Sequence, residues 1–102
     1  DPLLPIFLRS ALMPTVWIPP PMRELTERQD QISAQGRTVR EVIAWLELNY
    51  PGIQARLCAN DRLRPGIAVS IDGVISPEGI RTKIEKTSEV HFLPAISGGR
   101  TH

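Results

Sequence analysis

Thr38-Val39-Arg40-Glu41-Val42-Ile43-Ala44-Trp45-Leu46-Glu47-Leu48-Asn49-Tyr50-Pro51-Gly52 is the segment on which the fold turns. Val39, Val42, Ile43, Leu46 and Tyr50 recur at i, i+3, i+4, i+7 and i+11, one apolar stripe of helical period. Arg40, Glu41, Glu47 and Asn49 lie off that stripe. Thr38 precedes the first turn and Glu41 stands three residues on, the pattern of a capping box. Pro51 pushes Tyr50 out of helical geometry, and Pro51-Gly52 stops the helix. Trp45 and Leu48 are expected to widen its buried face. A helix of about 11–12 residues is marginal alone, so its stripe must be covered by other elements.

Those elements lie on both sides. Upstream, Thr15-Val16-Trp17-Ile18 is a β-type run that ends at Pro19-Pro20-Pro21. The triple proline predicts an extended loop or a sheet edge. Residues 22–30 read as a polar connection. Ile32 and Ala34 alternate in a second short strand that Gly36 closes, forming a hairpin with the first. Downstream, residues 54–65 are polar and basic, with Arg56, Arg62 and Arg64 among Leu57 and Leu63, and read as a loop with one helical turn at most. Ile67, Val69 and Ile71 alternate with Ala68 and Ser70 in a strand. Asp72-Gly73 signals a two-residue type I′ turn, and Val74-Ile75 begins the return. Residues 80–86 suit a turn and a loop. Glu89-Val90-His91-Phe92-Leu93 is the last strand, with Val90 and Phe92 on one face. Pro94 removes a ladder donor near its end.

The order strand, strand, helix, strand, short strand, strand predicts an α+β fold, a mixed sheet of four to five strands around one main helix. This is the β-grasp, ubiquitin-like arrangement.

Composition sets the outer bounds. At 102 residues the chain is one domain. It is 41% hydrophobic and 23% charged, the balance of a globule, and its 5% aromatic content predicts an aliphatic core. Lys plus Arg number 12 and Asp plus Glu 11. Nucleic acid is disfavoured by that balance, since phosphate binding favours a basic surplus. Setting aside Asp1, Arg9 and Arg100 leaves residues 13–99 with ten basic and ten acidic side chains. One cysteine excludes an internal disulfide, and beside two histidines it cannot complete a four-ligand Cys/His zinc site. No metal site is expected. No run approaches the ~18 apolar residues of a membrane span. Residues 1–12, DPLLPIFLRSAL, are expected to be a leader or cloning-derived segment outside the fold, with Met13 opening the patterned part.

The last strand runs into Leu93-Pro94-Ala95-Ile96-Ser97-Gly98-Gly99. With Gly36-Arg37-Thr38-Val39 opening the helix, Tyr50-Pro51-Gly52 closing it and the hairpin at Asp72-Gly73, most of residues 14–99 resembles the MoaD/ThiS family of ubiquitin-like sulfur carriers. The resemblance implies a β-grasp domain over 13–99 with a reactive arm, 94–99. The chain would be a cosubstrate, not an enzyme. An E1-like adenylating enzyme would use ATP to activate the Gly99 carboxylate, and sulfur would replace AMP to leave a thiocarboxylate. No cofactor would be bound by the carrier itself. Leu93, Pro94, Ala95, Ile96, Ser97 and Gly98 would form the partner-binding arm. Gly98 and Gly99 lack Cβ atoms and pass a narrow channel, while Pro94 stiffens the arm's exit.

Arg100-Thr101-His102 departs from the family pattern, because an amide at Gly99 cannot be adenylated as a carboxylate. Two explanations stand: a cloning remnant, or a natural extension cut between Gly99 and Arg100 by a peptidase, for which a JAMM-type metallopeptidase is a candidate. The implied sulfide acceptor is a cysteine synthase-like enzyme, with the large subunit of molybdopterin synthase as the alternative. A second class of function is a protein modifier conjugated through Gly99; a plain interaction module is a third. The expected setting is cytoplasmic.

Other residues carry blander readings. Cys58 suits a small buried apolar position. His91 suits a structural or surface role, and Trp17 and Trp45 suit packing. Arg56, Arg62 and Arg64 read as a solvated loop, with a docking patch for an acidic partner as the alternative. Nucleophile-elbow and phosphate-loop patterns are absent.

Overall fold

A computed structural model describes residues 13–94. Residues 1–12 and 95–102, expected as the leader, most of the arm and the extension, lie outside the described residues.

The sheet contains β1 (Thr15–Trp17), β2 (Gln31–Ser33), β5 (Ile67–Ile71), β6 (Val74–Ile75) and β7 (Glu89–Pro94). Their order is β2-β1-β7-β5-β6. The β1–β7 pair is parallel; the β1–β2, β5–β6 and β5–β7 pairs are antiparallel. The mixed five-stranded sheet lies against one main helix, α1 (Val39–Asn49), as the β-grasp reading expects.

The α1 stripe is buried at Val39, Val42, Ile43 and Leu46. It packs against Val16, Ile32, Val69, Val90 and Phe92 from the sheet. These residues alternate along their strands, so one sheet face is core and the other points away from α1. Thr38 Oγ1 accepts from the Glu41 N–H at 3.2 Å, while the Glu41 carboxylate reaches back to the Arg37 N–H at 2.8 Å. The reach goes one residue beyond Thr38, whose neighbours are held by a bridge to residues 82–84: Val39 N–H donates to the Thr82 carbonyl and Ile84 N–H to the Arg37 carbonyl. Trp45 is half-buried against the core, but Leu48 is 83% exposed and does not widen the buried face.

Two connecting segments are more structured than expected. Pro20–Thr26 is a 3-10 helix with Met22 and Thr26 buried. Proline is tolerated at the first positions of such a turn because their N–H groups have no intrahelical partner. The triple proline therefore opens a helix instead of staying extended. Beyond Gly52, Ile53–Leu57 forms a second helix, α2, with Ile53 and Leu57 buried. The Glu47 carboxylate caps it, accepting from Gly52 N–H at 3.1 Å and Gln54 N–H at 2.9 Å. Next comes a small hairpin, β3 (Cys58–Ala59) and β4 (Arg62–Leu63). Its turn residues Asn60 and Asp61 both have positive φ, 53° and 61°. Asn and Asp tolerate that region, so Asn60-Asp61 makes the same kind of turn as Asp72-Gly73.

Candidate functional site

The candidate site is the end of β7, the strand that precedes the expected arm in the sequence. β7 is the central strand, held by β1 on one side and β5 on the other. Asp72 N–H donates to the Glu89 carbonyl at 2.9 Å, and the Val69 carbonyl accepts from Ser76 N–H at 2.9 Å. Even-numbered β5 residues therefore face β7, and odd-numbered ones face β6. Ile67 pairs with Pro94 in this register, so Pro94 occupies a non-hydrogen-bonded position opposite β5. On its other edge the Ser88 carbonyl accepts from Thr15 N–H at 3.0 Å, which turns even-numbered β7 residues toward β1. β1 ends at Trp17, paired with His91. Pro94 thus lacks its N–H where the ladder has no acceptor, so its place at the end of β7 breaks no hydrogen bond.

Leu93 is half-buried on the outer face, opposite Ala68, and Pro94 is exposed. Ala95, Ile96, Ser97, Gly98, Gly99 and Arg100 lie outside the described residues. Beside Pro94 is an apolar groove of about 340 Å³ walled by Pro19, Pro20, Pro21 and Met22 on one side and Gly66 and Ile67 on the other.

The remaining residues fall into packing roles. Trp17 and His91 stack on the outer face. Cys58 is half-buried, and burial pushes its thiol pKa up despite the Arg40 charge nearby, which suits a packed thiol better than a nucleophile. Arg56 and Arg64 do not wave in a loop. They are pinned through Arg56 Nη1 to the Pro21 carbonyl and Arg64 Nε to the Ala55 carbonyl. The groove is not visible in the sequence, because one of its walls is a 3-10 turn where the triple proline predicts an extended loop or a sheet edge. Among the described residues, no group of three or more His, Cys, Asp or Glu is placed to hold a metal, and no helix is long and apolar enough to cross a membrane.

One main helix against a mixed five-stranded sheet, with the central strand followed in the sequence by Gly98-Gly99, defines a ubiquitin-like β-grasp protein. The ThiS family model matches residues 16–99, and the chain belongs to that family. It is 39% identical over 92 residues to the sulfur carrier protein CysO of Mycobacterium tuberculosis, covering 83% of this chain and 97% of that protein. A crystal structure of M. tuberculosis CysO is similar with a TM-score of 0.75 and 33% identity, over 81% of this chain and 99% of that one. A chain in the crystal structure of the Amycolatopsis orientalis BexX/CysO complex is similar with a TM-score of 0.77 and 31% identity, over 84% and 99%.

Proposed function

We propose that this protein is a sulfur carrier of cysteine biosynthesis, with Gly99 as its reacting residue. The observation that carries the reading is the 39% identity to CysO along nearly its whole length. Pro94 at the free end of a central strand supports it, because a rigid body then delivers a short arm to another protein.

The carrier supplies the carboxylate and the body, and its partners supply the chemistry. Hydrolysis of the Gly99–Arg100 bond by a peptidase frees the carboxylate. The activating enzyme joins it to AMP from ATP with release of pyrophosphate. Sulfide attacks the acyl carbon and AMP leaves, giving the thiocarboxylate. That sulfur then passes to a cysteine synthase-like acceptor. Leu93, Pro94, Ala95, Ile96, Ser97 and Gly98 form the segment the partners grip. Residues 13–99 are the working domain, and the ATP requirement implies a cytoplasmic setting.

The test is mass spectrometry of the chain ending at Gly99 after incubation with its activating enzyme, ATP and sulfide. One oxygen-to-sulfur exchange is expected at the C-terminus, and the 102-residue chain stays unchanged until cut. Absence of the exchange on the cut chain sinks the proposal.

A further inference from the structure

The apolar groove beside Pro94 is left unused by the chemistry of Gly99. Pro19, Pro21, Met22, Ile67, Phe92 and Pro94 line it, and no charged side chain does. Charges of both signs stand near it. Arg23 and Glu24 follow Met22, Glu27 caps the end of the same turn, and Arg56 Nη1 donates to the Pro21 carbonyl at 3.3 Å. Charge therefore does not select an occupant, whereas apolarity does. Proline walls offer dispersion contacts and no N–H donors, so a neutral aliphatic side chain suits the groove.

Position selects among the aliphatic side chains of the chain itself. Pro94 is both a wall of the groove and the last described residue. Ile96 follows it by two residues and is the only large apolar side chain between Ala95 and His102. A tether of two residues spans at most about 7 Å, which keeps Ile96 in the neighbourhood of the groove. So short a tether gives an effective concentration of about millimolar or above. The other apolar stretch outside the described residues, Leu3 to Leu8, joins the fold at the far end of the sheet. There Thr15 pairs with Glu89 at the start of β7, whereas Pro94 ends that strand. A return from that end must first retrace the length of β7, and the longer loop costs more entropy to close.

We propose that the side chain of Ile96 seats in this groove and parks the arm against the body of its own chain. An aliphatic side chain leaves water there without displacing a hydrogen bond. The parked arm is a closed state that a partner must displace before taking up Gly99, so apparent affinity falls with the fraction left free. That consequence rests on the carrier reading, while the contact itself does not. Isotopic labelling of the methionine methyl groups tests the contact by NMR in the full 102-residue chain, which holds two methionines, Met13 and Met22. In the parent chain the Met22 methyl shows a nuclear Overhauser contact to the Ile96 side chain, equally strong at every protein concentration. Ile96→Ser abolishes that contact and shifts the Met22 methyl signal. Ile96→Leu keeps the contact, and Ser97→Ala leaves the Met22 signal in place. The Met13 methyl, before Thr15 at the far end of the sheet, stays unmoved in every variant and reports an intact fold. A Met22 signal indifferent to Ile96→Ser, or no contact in the parent chain, overturns the proposal. So does a contact that fades on dilution, which assigns the groove to a second copy's arm, or one made instead to residues 3–8. The carrier reading is judged separately, by the oxygen-to-sulfur exchange on the chain ending at Gly99, so either can fail alone.

Discussion

The rings of Trp17 and His91 stack across the parallel β1–β7 pair, with centroids 5.2 Å apart and planes within 9°. The stack sits on the outer sheet face, opposite the core residues Val16 and Val90. It ties the first strand of the fold to the strand that bears the arm. Aromatic pairs of this kind add about 0.5–1.5 kcal/mol beyond area burial. His91→Ala is therefore expected to lower stability by about 1 kcal/mol, a Tm drop of roughly 4–8 °C for a domain this size. Trp17→Phe keeps a ring and removes a buried Nε1 that has no partner among the described residues. Thermal melts should place it within about 1 kcal/mol of the parent. A His91→Ala variant as stable as the parent would show that the stack contributes nothing.

Leu46 and Leu48 lie two residues apart on α1 and answer to opposite environments. Leu46 is fully buried and Leu48 is 83% exposed. Leu46→Ala deletes core atoms and leaves a cavity, with an expected cost of about 3 kcal/mol. Leu48→Ala is expected to fall within about 0.5 kcal/mol of the parent. Urea titration of both variants checks the pair, and comparable losses would contradict the packing described.

That contrast marks what the sequence could tell. The period of Val39, Val42, Ile43 and Leu46 names a buried stripe because burial on a helix is periodic. Leu48 is as apolar as Leu46, and only the shape of the sheet decides which of them is covered. The hairpin at Asp72-Gly73 was legible because Gly announces positive φ; Asn60-Asp61 makes a similar turn with less telling residues. Ile53 and Leu57, four apart after Pro51-Gly52, were the overlooked sign of α2. The expected arm, 94–99, rests on residue types alone, and Ala95 to Gly99 lie outside the described residues. The groove beside Pro94 was not legible, since it joins residues 19–22 to 66–67 and 92–94, far apart in the chain.

Gly36 is required by the helix it precedes. A Cβ there would stand 2.7 Å from the Val42 backbone nitrogen and 3.0 Å from the Glu41 carbonyl carbon, at φ 155°. Those neighbours are backbone of the first helical turn and cannot rotate away. Gly36→Ala must displace the start of α1 or the end of β2, at an expected cost of about 1–3 kcal/mol. Amide exchange should report the loss at Val42 and Ile43 first. Unchanged protection there would remove the steric argument.

Arg40 holds Asp61 by a two-pronged ion pair that ties α1 to the β3–β4 turn. The hydrogen bonds from Arg40 keep the Asp61 carboxyl below its usual range. A depressed folded-state pKa contributes stability above the unfolded value, near 3.8, and loses it as pH falls through the folded value. Asp61→Asn should therefore lower Tm slightly at neutral pH, with the difference shrinking below about pH 4. Both side chains are exposed, so added salt should also shrink it. Melting curves from neutral to acidic pH, at low and high salt, check the sign; a gap that widens on acidification would refute the assignment.

Leu93 allows the proposed partner recognition to be tested apart from stability. Its side chain shares the outer face with His91 and Ala68, away from α1, and the strand beneath is held by Val90 and Phe92. Leu93→Ser should therefore leave Tm within a few degrees, since half-exposed positions outside the core tolerate polar substitution. The same change removes an apolar contact at the root of the arm. In the proposed thiocarboxylation reaction, KM for the carrier should rise about tenfold if Leu93 is a binding anchor. With the arm from 94 to 99 intact, kcat should stay within about twofold, because the acyl carbon still reaches the same groups. Initial rates across carrier concentrations give both constants. A fall in kcat at unchanged KM would assign Leu93 to positioning Gly99 and not to docking.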